Sequence, residues 1–164
     1  MPHQNATHTL ILGVGNLLLT DEGIGIHAIQ QLQKRYHLPD GVQIIDGGTL
    51  GMDLLYYLEG VKNLLLIDAV ETNGEPGTII RLEGDNVPAH FSLKMSPHQV
   101  GVPDMLFAAK LKDMYPEHVV LLGVKPGVLN TGLDLSPPVA ACLDSLVEQA
   151  RQQLATWGVS LTPR

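Results

Sequence analysis

Five short apolar runs set the rhythm of the chain. Leu10–Val14 leads into Gly15-Asn16, and Val42–Ile45 leads into Asp46-Gly47-Gly48; Asn63–Val70 and His118–Val124 are two more. These runs are apolar at consecutive positions rather than at every second one, which suits parallel strands covered on both faces. The fifth run, Thr78–Leu82, follows Asn73-Gly74-Glu75-Pro76-Gly77. That turn cluster is too short to hold a crossover helix, so the run is expected to lie antiparallel beside the strand before it.

The polar spacing changes to a helical one between these runs. After Thr20-Asp21, either of which could cap, Gly25, Ala28, Ile29, Leu32 and Tyr36 fall on one stripe that ends at Leu38-Pro39. Gly51–Glu59 is a shorter candidate. In Ser96–Lys112, a helix starting at Ser96 would carry Pro103 in its interior at a cost of about 3 kcal/mol, so the helix is expected to begin near Pro103, after a turn through Gly101. The last helix has Ser136 as cap, Pro137 in the first turn, a stripe of Val139, Leu143, Leu146, Val147, Ala150 and Leu154, and Gly158 as stop. Cys142 shares that stripe and reads as a packed, inert thiol. The order β-α-β-α-β-β-(loop, α)-β-α describes one α/β domain: an open, twisted, mostly parallel sheet of about five strands, with one antiparallel strand and helices on both faces.

Composition narrows the function classes. The 164 residues include 17 acidic and 10 basic side chains, a net charge of −7, which argues against nucleic acid and anionic membrane as partners. A single cysteine rules out a disulfide framework and a Cys-based zinc finger. The first apolar stretch, Leu10–Leu19, is broken by Gly13, Gly15 and Asn16 and is too short to span a bilayer. Residues 1–9 lack the Lys or Arg of a signal peptide, so the cytoplasm is the expected compartment. No long apolar surface helix announces a dimer, and a monomer is expected.

In open α/β sheets ligands bind at the carboxyl ends of the strands. Three polar groups are expected there: Glu22 in the first turn of the first helix, Asp68 closing Leu64-Leu65-Leu66-Ile67, and His98 within Ser96-Pro97-His98-Gln99. Singly, each has a plain explanation as a dipole partner, a turn residue and a loop residue. Together, two carboxylates and one imidazole make an open site for a divalent ion such as zinc, nickel or manganese. Asp46-Gly47-Gly48-Thr49 is a second candidate, because glycines at a strand end let a bound chain approach closely. His27, His37 and His118 read as surface or edge residues.

Gly13-Val14-Gly15-Asn16-Leu17-Leu18 invites a dinucleotide reading, with Asp46 as the ribose acid. Leu18 stands at the third glycine position, however, and Asp21-Glu22 would repel a pyrophosphate. No Gly-Lys-Ser/Thr loop or Gly-x-Ser-x-Gly turn is present.

The ordered set Gly13-Val14-Gly15-Asn16-x-Leu18-x-x-Asp21-Glu22-Gly23-x-Gly25, Asp46-Gly47-Gly48-Thr49, Asp68-Ala69 and Ser96-Pro97-His98-Gln99 resembles the [NiFe]-hydrogenase maturation endopeptidases, over Leu10 to about Trp157. Ser-Pro-His-Gln and Gly-Val-Gly-Asn are most similar to the branch serving uptake-type hydrogenases. Pro103 and the extension through His8 depart from the family pattern. The length of the chain is that of one domain over 1–164, with 1–8 and 160–164 expected as flexible tails. The resemblance implies removal of a C-terminal extension from the hydrogenase large-subunit precursor once nickel is inserted. The family's metal ligands fall on Glu22, Asp68 and His98. Nickel held by precursor cysteines would then license cleavage, with the scissile peptide polarised or attacked by metal-activated water. Asp46 would handle a proton or position the chain, and Gly47, Gly48 and Thr49 would contact the substrate. A permanently bound ion, or a nickel-handling chaperone without cleavage, would use the same ligands.

Overall fold

The structure is a computed structural model that describes residues 6–47, 53–93 and 102–164, without the side chains of residues 92 and 93. Its elements in chain order are β1 (Thr9–Gly13), a 3-10 turn (Thr20–Gly23), α1 (Ile24–Arg35), β2 (Tyr36–His37), β3 (Val42–Asp46), α2 (Leu54–Tyr57), β4 (Asn63–Ala69) and β5 (Ile79–Glu83). They continue with α3 (Asn86–Leu93), α4 (Val102–Leu111), β6 (His118–Val124), α5 (Pro137–Thr156) and β7 (Thr162–Pro163). The main sheet has the order β3-β1-β4-β6-β5. β3, β1, β4 and β6 run parallel, and β5 is antiparallel to β6.

Consecutive apolar residues in the strands serve two separate cores. Leu10, Leu12, Leu64, Leu66, Val119 and Leu121 face α2, α3 and α4, where Leu54, Phe91, Met105 and Leu106 meet them. Ile11, Leu65, Ile67, Val120 and Leu122 face α1 and α5, meeting Ile29, Leu32, Leu146 and Leu154. Each such fully buried side chain contributes roughly 1.5–3 kcal/mol, so β1, β4 and β6 are held from both sides.

Three expectations are corrected. The antiparallel strand pairs with β6 and not with the strand before it. β4 is flanked on both sides by β1 and β6, so the returning chain cannot pair with it and pairs instead at the outer edge of β6. Gly77 N–H donating to the Lys125 carbonyl, and Lys125 N–H to that of Thr78, start that pairing. A helix not anticipated from the sequence, α3, follows at once. Finally, the stretch from residue 160 is not a frayed tail: Thr162–Pro163 pairs antiparallel with Tyr36–His37. Arg164 N–H donates to the Arg35 carbonyl, and its Nε to those of Gln33 and Tyr36. Pro103 does fall at the start of α4, at its second residue, where the missing N–H costs nothing.

Two glycines bring α1 against the sheet. A Cβ on Gly25 would overlap the Ile67 carbonyl oxygen and stand 2.5 Å from that of Val14, so the first turn of α1 lies directly on the carboxyl ends of β1 and β4. Gly15, at φ +127°, makes the turn out of β1, a conformation that side chains rarely adopt.

Candidate functional site

The carboxyl edge of the sheet carries the acidic residues singled out from the sequence. Asp68, the sixth residue of β4, is fully buried, and its Oδ1 accepts the Ala69 N–H at 2.8 Å. Glu22 is half-buried in the 3-10 turn before α1, its N–H donating to the Leu19 carbonyl. Gly15 joins the two. A Cβ there would overlap the Glu22 carbonyl and sit 3.6 Å from Asp68 Oδ1, so the glycine lets the Glu22 main chain pack against the β1 exit close to the Asp68 carboxyl. The 3-10 turn, the β1 exit and the end of β4 therefore meet at one place. Two carboxylate residues brought this close are a donor type that suits a divalent cation.

Asp46 reaches the same edge by a different strand. It pairs with Gly13, which pairs with Ile67, so Asp46 stands two strands from β4 and one residue short of the level of Asp68. Its strand parity is that of Ile44 on the α1 and α5 face, whereas Asp68 shares the parity of Leu66 on the α4 face. Asp46 is exposed. Gly47 is buried, and its N–H donates to the Gly13 carbonyl at 2.7 Å, so this amide serves the sheet. Gly48, Thr49 and His98 lie outside the described residues. Among the described residues no group of three or more His, Cys, Asp or Glu side chains forms a metal cluster.

Asp21 is the residue that sequence reasoning undervalued. It does not cap α1, whose N-cap is Gly23. Its carboxyl is fully buried and accepts four hydrogen bonds from a segment more than a hundred residues away. Oδ2 takes Gly127 N–H and Val128 N–H, both at 2.8 Å, and the Ser136 hydroxyl at 2.6 Å; Oδ1 takes Ser136 N–H at 2.7 Å. Burial acts most strongly on this carboxyl and pushes its pKa up, yet the donors from Ser136, Val128 and Gly127 together outweigh it and hold the acid below 3.8. Ser136 is the N-cap of α5 by position, but its hydroxyl goes to Asp21 and makes no cap hydrogen bond. Nothing local in the sequence could reveal this.

Further bonds stitch the same two segments. Thr20, at the strained φ of +47°, donates its N–H to the Gly132 carbonyl and its hydroxyl to that of Val128. Gly132 N–H returns to the Leu18 carbonyl, and Leu19 and Gly132 form a parallel β-bridge. The β1–α1 and β6–α5 connections thus behave as one unit. The Leu18–Asp21 part of the β1–α1 connection, where a pyrophosphate-binding helix start would lie, grips another part of the chain instead.

His27 of α1 belongs to this unit and is not the surface residue the sequence suggested. Its Nε2 is buried without a hydrogen-bond partner among the described residues, and the ring hydrogen-bonds the backbone at Leu133. Burial lowers its pKa below 6.5, against the raising effects of the Leu133 bond and the Asp134 charge. The unfolded chain therefore binds the extra proton. The stabilisation is complete above pH 6.5 and is lost as pH falls through the lower native value. His27→Gln is expected to flatten the fall in Tm between about pH 7 and 5, measured by thermal melts; an unchanged slope counts against this. His37 and His118 are exposed as expected, the latter stacked on Trp157 at 6.3 Å. Burial likewise pushes the Cys142 thiol up, consistent with an inert, packed sulfur.

The fold is similar to that of a hydrogenase maturating endopeptidase from Escherichia coli whose structure is known. The two are 42% identical and superpose with a TM-score of 0.91 over 96% of this chain and 98% of the other. A [NiFe] hydrogenase maturation protease from Thermococcus kodakarensis is 25% identical with a TM-score of 0.72, over 90% and 99% of the two chains. The hydrogenase 2 maturation protease of Escherichia coli K12 is 43% identical over 94% of this chain and 95% of its own. The family model for hydrogenase maturation proteases matches residues 26–153. This chain belongs to the hydrogenase maturation protease family and is an endopeptidase.

Proposed function

We propose that this endopeptidase removes a C-terminal extension from the large-subunit precursor of a [NiFe]-hydrogenase after nickel has been inserted. Glu22, Asp68 and His98 close on the nickel, which arrives with the substrate, held by precursor cysteines. The observation that carries this reading is the close approach at Gly15, where the turn bearing Glu22 meets the buried Asp68 carboxyl. The relatives named for hydrogenase maturation support the choice of substrate. A reducing cytoplasm, which keeps precursor cysteines from forming disulfides, fits the same scheme.

The substrate's nickel supplies Lewis-acid polarisation of the adjacent scissile carbonyl. The chain contributes the rest. Glu22 and Asp68 offer charged oxygens and His98 a neutral ring nitrogen, a donor set that accepts a borderline cation without stripping it from cysteine thiolates. Asp46, exposed at the same edge, takes a proton from the attacking water or aligns the incoming chain. Gly48 and Thr49, which follow Asp46 in the sequence, are the candidates for contact with that chain.

Mixing the protein with nickel-loaded and nickel-free precursor, and following the large subunit by intact mass, tests the proposal. Loss of a C-terminal peptide in the loaded sample alone is the expected result. Equal processing of both samples overturns nickel licensing, and processing of neither overturns the substrate assignment. Metal analysis of the purified protein completes the test, since a tightly held stoichiometric ion without precursor would make the metal resident.

A further inference from the structure

The β6–α5 connection has its polar and apolar parts the opposite way round from an ordinary surface loop. Backbone groups from Gly127 to Gly132 are tied inward: Gly127 and Val128 N–H to Asp21, the Val128 carbonyl to Thr20, and Gly132 through both its N–H and its carbonyl. Its large apolar side chains face water instead. Val128, Leu129 and Leu133 are 38%, 51% and 60% exposed, and Leu18, on the segment bridged to Gly132, is 61% exposed. Four of the seven exposed large hydrophobics among the described residues lie on these two joined segments. Residues 128–133 (Val-Leu-Asn-Thr-Gly-Leu) carry no charge in a chain of net charge −7. An apolar rim held rigid by a buried carboxylate is a surface prepared for a partner, because little ordering remains to be done on contact.

We infer that Leu18, Val128, Leu129 and Leu133 form the docking rim for an extended, apolar stretch of the precursor beside the bond to be cut. The occupant follows from continuity with the site. Leu18 and Glu22 lie on the same connection, four residues apart, and the Asp21 clamp fixes the β6–α5 loop to the turn that carries Glu22. A chain with its scissile bond beside Glu22 and Asp68 has this rim as its apolar neighbour. The inference deepens the proposed function and rests on it. Asp21 acts as a positioning residue that sets the rim against the turn.

The test is the kinetics of processing of nickel-loaded precursor by the wild-type protein and by the double variant Leu129→Ser/Leu133→Ser. The double variant is expected to raise KM tenfold or more, with kcat within twofold and Tm unchanged, because both side chains already face solvent. Leu18→Ser, on the other segment, should raise KM in the same direction, and Leu129→Met/Leu133→Met should restore it. Unchanged KM with an active wild type overturns the rim and leaves the proposed function standing. A fall in kcat at unchanged KM also overturns it. So does an unchanged KM together with a sedimenting dimer that the serines disperse, which would assign the face to a second copy. A wild type that cleaves no precursor removes the proposed function, and the rim falls with it.

Discussion

Asp68→Asn is expected to reduce processing of nickel-loaded precursor about a thousandfold or more while leaving the protein folded. The amide keeps the size of the carboxyl and an oxygen to accept the Ala69 N–H. It removes the negative charge that would face the metal. Losing several kcal/mol of stabilisation at the metal in the transition state corresponds to a thousandfold or greater loss of rate. Glu22→Gln should show a comparable loss of activity and little change in stability, since its side chain is only half-buried. Single-turnover mass spectrometry and circular dichroism melts make both measurements. Near-normal rates in either variant would remove that residue from the site.

Asp21→Ala should have the largest effect on stability, about 3–5 kcal/mol, with Tm lower by about 10 °C. The substitution deletes one acceptor group and strands four donors: the amides of Gly127, Val128 and Ser136, and the Ser136 hydroxyl. Donors left without partners away from water cost more than the net value of the bonds they once made. Asp21→Asn should fall between alanine and wild type, because one oxygen still accepts while its NH2 meets donors. Urea denaturation with the variants side by side measures the difference. A loss below about 1 kcal/mol for alanine would mean that water replaces the carboxyl and that the two connections are held by other contacts.

The sheet was legible because burial on both faces leaves a plain signature. Leu64 to Ile67 had to be covered on both sides, and they are. The stripe of α5 was equally direct, from Val139 to Leu154. The partner of β5 was not, since pairing depends on which edge remains open after the parallel strands have assembled. Glu22 and Asp68 were singled out by combining strand ends with the known preference of ligands for the carboxyl edge, and the structure brings the turn of one beside the carboxyl of the other. Asp21 escaped because its partners are 106 to 115 residues distant, and aspartate before a helix has a commoner local explanation as a cap. Asp46 shows the remaining limit. Its strand end was readable, yet the face it shares with Ile44, opposite to that of Asp68, depends on the register of β3 against β1.

The short pairing of Thr162–Pro163 with Tyr36–His37 has a bearing on self-recognition. α1 begins where Gly25 touches the carboxyl ends of β1 and β4, and its twelve residues carry the chain about 18 Å before Tyr36. Arg164 is tied at that far pole, its main chain and guanidinium both fastened to carbonyls. This endopeptidase thus keeps the Thr162–Arg164 stretch of its own backbone away from Glu22 and Asp68. A purification handle fused after Arg164 would emerge on the side remote from Glu22 and Asp68, leaving the entrance clear for an incoming precursor.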